Sequence, residues 1–290
     1  FSCAILDADG QLIVNAPHIP VHLGALGVCV RLVAETRSLE PGDVVVTNHP
    51  GFGGSHLPDV TLITPVFTVE PSGNSALIAY VACRAHHAEI GGTRPGSMPT
   101  DARCLAEEGV VIPPMHLLRR GKEQWSSIEL LLRGSPYPSR AVEENLADLR
   151  AQLAANQRGA TELLGFVSAN GIAALRDAMS GLTARAQRIS RQILVRLAAR
   201  GSQFHAEERL DDGSPTRVSI QVASGSAVID FADSGDTHPR NLNATGAIIR
   251  SAVMYVLRLM SPEPLPLNEG LLAPVELRIP RGMLNPHFES

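Results

Sequence analysis

The feature that most limits what this chain can fold into is a double change of periodicity. Up to about Pro138 the apolar runs are short and broken by Gly, Pro, Asn and His. From Ser139 to about Arg200 the composition shifts to Ala, Leu, Arg, Glu and Gln, with apolar residues three and four apart, as on one face of a helix. From Gln203 onward alternation returns, in "RVSIQVA" and "AVIDFAD" around a Ser-Gly turn. The order predicts an α+β fold, mixed strands with a helical middle segment. Three stretches follow: a strand-rich 1–138 with His/Asp/Gly loops, a helical hairpin or bundle over 139–202, and an α+β continuation over 203–290.

Local signals fill in these stretches. "FSCAILDADGQLIV" reads as a hairpin over an Asp-Ala-Asp-Gly turn, and "GALGVCVRLVAETRSL" as a helix that stops before Pro41. "GDVVVTN", "DVTLITPVF" and "SALIAYVACRA" read as strands. Asn170-Gly171 interrupts the helical segment, and "AIIRSAVMYVLRLM" reads as a buried helix. The chain starts on Phe1 inside an expected strand and stops at "LNPHFES" without a finished element, which reads as part of a larger chain.

Charge and cysteine usage remove several function classes. The net charge of -4 leaves no basic footprint for nucleic acid. No apolar run approaches the ~18 residues of a membrane span, and "FSCAILDADG" lacks the basic start of a signal peptide. Cys3, Cys29, Cys83 and Cys104 form no CxxC pair, so a cytoplasmic location without a disulfide framework is expected. Cys83 stays a candidate because it lies close to two histidines. Lys122 is the sole lysine and is followed by Glu123, so no Walker A loop exists here. No G-x-S-x-G elbow is present either.

Histidines are concentrated instead. Seven of the ten, His18, His22, His49, His56, His86, His87 and His116, fall in the first stretch. The densest chemistry is in "NHPGFGGSHLPD" and "RAHHAEIGG", each following an apolar run. Imidazole and carboxylate are the usual ligands of Zn, Mn and Fe. His56 and Asp59 would point apart in a straight strand, whereas a turn at Leu57-Pro58 would bring them together. His86 and His87 cannot face one way in a regular strand, and the sequence leaves the register open. Glu89 would share the face of His87. Asn241 and Asn243 precede the last helix, where Asn caps and where a substrate amide or carboxylate would dock.

These motifs together resemble one family. "APHIPVHLG", "PGDVVVTNHPGFGGSHLPDVTLITPVF", "RAHHAEIGGTRPGSMP" and "EEGVVIPPMHLLRRG" are similar to hydantoinase B proteins, as are the later "FADSGDTHPRNLNATGA" and "NEGLLAPVELRIPRG". That family includes the B subunit of N-methylhydantoinase, the carboxy-terminal half of 5-oxoprolinase and related subunits of acetone and acetophenone carboxylases. The resemblance implies an ATP-dependent, hetero-oligomeric assembly in which an A-type subunit or domain uses the ATP. It implies a divalent metal, Zn or Mn, on His56, Asp59 and His86. His22, Asn48 and Asn241 would then line the substrate, with His87 and Glu89 as catalytic groups. Two positions depart from the pattern: His49 stands where many relatives have Asp, and Glu89 where Asp is expected.

The expected activity is metal-assisted hydrolysis of a phosphorylated cyclic amide such as 5-oxoproline or a hydantoin. Two alternatives stay open at this point: a carboxylase component of the acetone or acetophenone type, and a non-catalytic assembly fragment.

Overall fold

The computed structural model of this chain describes residues 1–16, 19–69 and 73–288; His18 lies outside them. The fold is α+β, as expected. Strands β1 (Ser2–Asp7) and β2 (Leu12–Ala16) form the first hairpin. Helix α1 (Ala25–Thr36) follows and ends before Pro41. Strands β3 (Val44–Thr47), β4 (Asp59–Val69) and β5 (Ser75–His86) come next, then a short α2 (Leu105–Glu108). Strands β6 (Met115–Arg119) and β7 (Lys122–Glu123) lead into α3 (Trp125–Gly134).

The seven strands form one sheet in the order β2-β1-β5-β4-β3-β6-β7, with antiparallel pairing throughout. Both faces of its centre are covered. Ile63, Ala82 and Val45 on one face pack with Leu26, Cys29, Val30 and Val33 of α1. Val60, Leu62 and Cys83 on the other face pack with Leu146, Leu149 and Leu153 of the following helix. That is why β4 and β5 read as continuous apolar runs rather than alternating ones.

This helical segment, α4 (Val142–Ala198), consists of two arms joined at Gly171, where φ 83° and ψ 158° leave the helical region. Asn145, Gln152 and Asn156 are buried among its leucines. They do not point at solvent. Their amides reach across to the sheet: Gln152 Nε2 donates to the Val60 carbonyl at 3.0 Å, and Asn156 Nδ2 to that of Leu62 at 3.2 Å.

A second sheet, β11-β10-β9-β8, is built from β8 (Gln203–Arg209), β9 (Pro215–Ala223), β10 (Ser226–Asp230) and β11 (Val275–Arg278). Between its last two strands lies α5 (Gly246–Leu259). One core cluster contains Leu26 of α1, Ile189 of α4, Ile229 of β10 and Met254 of α5, so residues of all three sequence stretches share it. Glu269 fastens the same region, accepting from Arg31 at 2.7 and 2.9 Å while Arg250 approaches at 3.5 Å. Among the described residues, no helix is long and apolar enough to cross a membrane.

Candidate metal and active site

The site forms where β4 begins and β5 ends. Asp59 and His86 are opposite one another in the antiparallel ladder, so their side chains leave the same face. Asp59 is 1 % exposed, and His86 stands at the solvent edge. A turn supplies the third group. The Asp59 amide donates to the His56 carbonyl at 3.0 Å, and the His87 amide donates to Pro58 at 2.8 Å. The chain therefore doubles back at Leu57-Pro58 and lays His56 over Asp59. Upstream, Gly53 at φ +76° passes α1 so closely that a Cβ there would sit 2.7 Å from the Cys29 nitrogen. Only glycine meets both conditions.

Asp59 is the hub. Its Oδ2 is 3.1 Å from His22 Nε2 and 3.1 Å from His56 Nδ1, and it accepts the Ser55 hydroxyl. Its Oδ1 is 3.3 Å from His86 Nδ1. The two outer rings also meet, His56 Nε2 lying 3.2 Å from His86 Nδ1. Burial alone would raise the Asp59 pKa, but hydrogen bonds from His22 and His56 hold the carboxyl well below the usual carboxylate range. The carboxylate is thus ionised near neutrality.

His56, Asp59 and His86 place one donor atom each within 4.8 Å of one another. Two imidazoles and a carboxylate, with the histidines partly open to solvent, form a donor set suited to a divalent transition metal with an open coordination position. The residues fit such an ion.

The other residues expected here have different surroundings. His22 is fully buried behind Asp59 and contacts no open space. Its Nδ1 lies 2.9 Å from Ser2 Oγ, and burial lowers its pKa, leaving a neutral ring that donates Nε2–H to Asp59. It holds the Asp59 carboxylate from behind. Asn48 is likewise buried and engaged by the backbone: its amide donates to the Leu57 and Val110 carbonyls at 2.8 and 2.9 Å and accepts from the Ile112 amide at 2.7 Å. Asn241 donates to the Pro99 carbonyl, tying two loops.

His87 and Glu89 also fall away from the cluster. Because successive residues leave a strand on opposite sides, His87 turns toward α4, where Nε2 meets Gln152 Oε1 and Nδ1 meets Asn145 Nδ2, both at 3.1 Å. It is 1 % exposed. The Glu89 carboxylate is held by Arg140 Nη1 at 3.0 and 3.1 Å and by the Gly91 amide. Cys83 sits on that same α4 side; burial pushes its thiol up to about 12, so it stays protonated and poorly reactive toward reagents from solvent near neutrality.

His49 acts locally. Its Nδ1 accepts from the Gly51 amide at 3.0 Å, the capping an aspartate side chain can also provide. A residue that sequence patterning passed over is Glu108, at the end of α2. Burial pushes its carboxyl up to about 7, while the charge of nearby His56 pulls the other way. Its motif, "EEGVV", was visible, but nothing in the motif shows that this acid is partly buried within reach of the His56 charge.

Comparison with known proteins gives the family and the fold. The family model described as Hydantoinase B/oxoprolinase matches residues 1–290. A 5-oxoprolinase of Saccharomyces cerevisiae is 39% identical over 98% of this chain, which spans 23% of that protein. The caprolactamase subunit beta of Pseudomonas jessenii is 29% identical, and the chain spans 48% of it. The crystal structure of the ATP-dependent caprolactamase from that organism superposes with a TM-score of 0.85 over 99% of this chain and 49% of the other, at 27% identity. Acetone carboxylase in its nucleotide-free form superposes at 0.80 over 98% of this chain and 39% of the other; at 18% identity that likeness concerns the fold alone.

Proposed function

The chain belongs to the hydantoinase B/oxoprolinase family, and on that premise we propose that it forms part of the B-type component of an ATP-dependent cyclic amide hydrolase. The observation that carries this reading is the convergence of His56, Asp59 and His86 at the mouth of the sheet. An A-type partner uses the ATP, since the only lysine here stands in no phosphate loop. The relatives named for lactam opening, a 5-oxoprolinase and a caprolactamase, support a cyclic amide as the substrate class.

A divalent metal held by His56, Asp59 and His86 would supply Lewis acidity and lower the pKa of water. The chain's own residues do the rest. His22 and Ser55 fix the Asp59 carboxylate from behind, leaving Oδ1 toward His86. Glu89 is tied to Arg140; Glu108, whose carboxyl is raised to about 7 by burial and feels the charge of His56, is the acid that this reading assigns to carry a proton. Four free cysteines support a reducing, cytoplasmic setting.

The test is elemental mass spectrometry of the purified chain and of His56→Ala and His86→Ala, followed by ATP-dependent ring opening with the A-type partner. Near-stoichiometric metal lost in both variants is expected. A metal-free parent chain, or full ring opening by Asp59→Ala, overturns the reading.

A further inference from the structure

Cys3 and Cys83 are directly opposite each other in the β1–β5 ladder. Opposed residues of an antiparallel pair have Cα atoms about 4.5–5.5 Å apart and side chains on one face. That separation lies inside the ~4.4–6.8 Å range that a disulfide spans. Both are free thiols. The face is the α4 side, where Cys83 is fully buried and hydrogen-bonds the Gln152 carbonyl at 3.6 Å. Cys3 is only half buried. On its other flank it faces Ala16 of β2, a small, exposed residue, while its own side chain packs partly against the α4-side core. No other cysteine competes for either sulfur: Cys29 is buried on the α1 face with Leu26 and Val30, and Cys104 is exposed at the start of α2.

We propose that Cys3 and Cys83 form a reversible cross-strand disulfide, with Cys3 as the sulfur that attacks a hydroperoxide and is oxidised by it, and Cys83 as the resolving thiol. The hydroperoxide ROOH transfers one oxygen to the Cys3 sulfur, giving a sulfenic acid and ROH. The Cys83 sulfur then displaces the sulfenic hydroxyl, forming the S–S bond. The Cys83 proton and that hydroxide leave as water. Two electrons pass from the thiol pair to the hydroperoxide. Burial that makes Cys83 inert to outside reagents does not prevent this second step, because its partner is already alongside. In a reducing compartment the bond is transient and regulatory rather than structural.

The location gives the bond a consequence. Ser2, next to Cys3, is opposite Arg84, next to Cys83, and its hydroxyl holds His22 behind Asp59. Oxidation clamps the strand that carries Ser2. It also takes the Cys83 sulfur from Gln152, the residue that pairs with His87. This inference is independent of the reading of the Asp59 cluster.

The test treats the reduced chain with hydrogen peroxide, using parent, Cys104→Ser, Cys3→Ser and Cys83→Ser. Free thiols are counted, and non-reducing digests are searched by mass spectrometry. Expected in the parent and in Cys104→Ser is loss of two thiols, a linked peptide joining Cys3 to Cys83, recovery with dithiothreitol, and a higher melting midpoint when oxidised. Neither Cys3→Ser nor Cys83→Ser yields the linkage. Accumulation of Cys3 sulfinic acid with Cys83 still free overturns the proposal. So does a linkage that joins only Cys104 or Cys29. Should one serine variant fold poorly, the parent's linked peptide and its dithiothreitol-reversible midpoint decide the matter.

Discussion

Asp59 and His86 face each other across the first rung of the β4–β5 ladder, with Oδ1 3.3 Å from Nδ1, although 27 residues of chain separate them. One partner is buried and the other is open to solvent. The pair therefore joins a fixed negative charge to an accessible imidazole, and strand pairing rather than loop conformation sets their spacing. A site built on paired strands keeps its geometry better than one built on loops.

The buried Asp59 charge makes stability acid-sensitive. Its carboxyl pKa is held below that of an unfolded aspartate, so it contributes stability above about pH 4 that is lost as pH falls below that value. In urea titrations, Asp59→Asn is expected to be less stable than the parent near pH 7. The gap between the two midpoints should begin to narrow as the pH falls below about 4. A constant gap across that range would show that Asp59 is not held as an ion.

Glu108 has the opposite sign. Its pKa in the folded chain, about 7, exceeds the ordinary glutamate value, so the folded state binds a proton that the unfolded state has released. Stability then falls as the pH rises from about 4.5 through 7. Glu108→Gln should remove that fall and be more stable than the parent at pH 8 by about 1 kcal/mol, a figure reduced for partial solvent screening. Ring opening with the A-type partner should decrease in the same variant. A variant both active and no more stable would remove Glu108 from the site.

Ser2 gives the cleanest test of the support behind the proposed metal ligands. Ser2→Ala leaves the buried His22 Nδ1 without its partner at 2.9 Å, at a cost of about 1–2 kcal/mol. Metal content should persist, because none of the three ligand atoms is touched. Loss of metal in Ser2→Ala would mean that His22 is itself a ligand.

On the other face, Gln152→Leu should lower stability by about 2–3 kcal/mol, since it strips partners from both His87 Nε2 and the Val60 carbonyl. Metal binding should be unchanged in the folded variant. Chemical denaturation paired with elemental analysis separates these effects, and a joint loss would return His87 to the site.

Much of this arrangement was legible in the residues. The strand–helix–strand order, the break at Gly171 and the turn at Leu57-Pro58 are local properties of backbone and periodicity. The cluster His56, Asp59 and His86 was also legible, because its members lie in two glycine-rich loops after apolar runs. Asn48 and Glu89 were not. A polar side chain looks the same in a sequence whether it meets a ligand, three backbone groups or an arginine 51 residues away.

By itself, then, the sequence determined the class of fold, the family and the donor types available for a metal. Only the tertiary structure decided which histidines share a face with Asp59. Adjacent residues in a strand point to opposite sides, so a shift of one position would exchange His86 for His87. Register is fixed by the packing of α1 on one face of β4 and β5 and α4 on the other. That packing joins residues more than a hundred positions apart. It sends His86 to the cluster around Asp59 and seals His87 against Gln152.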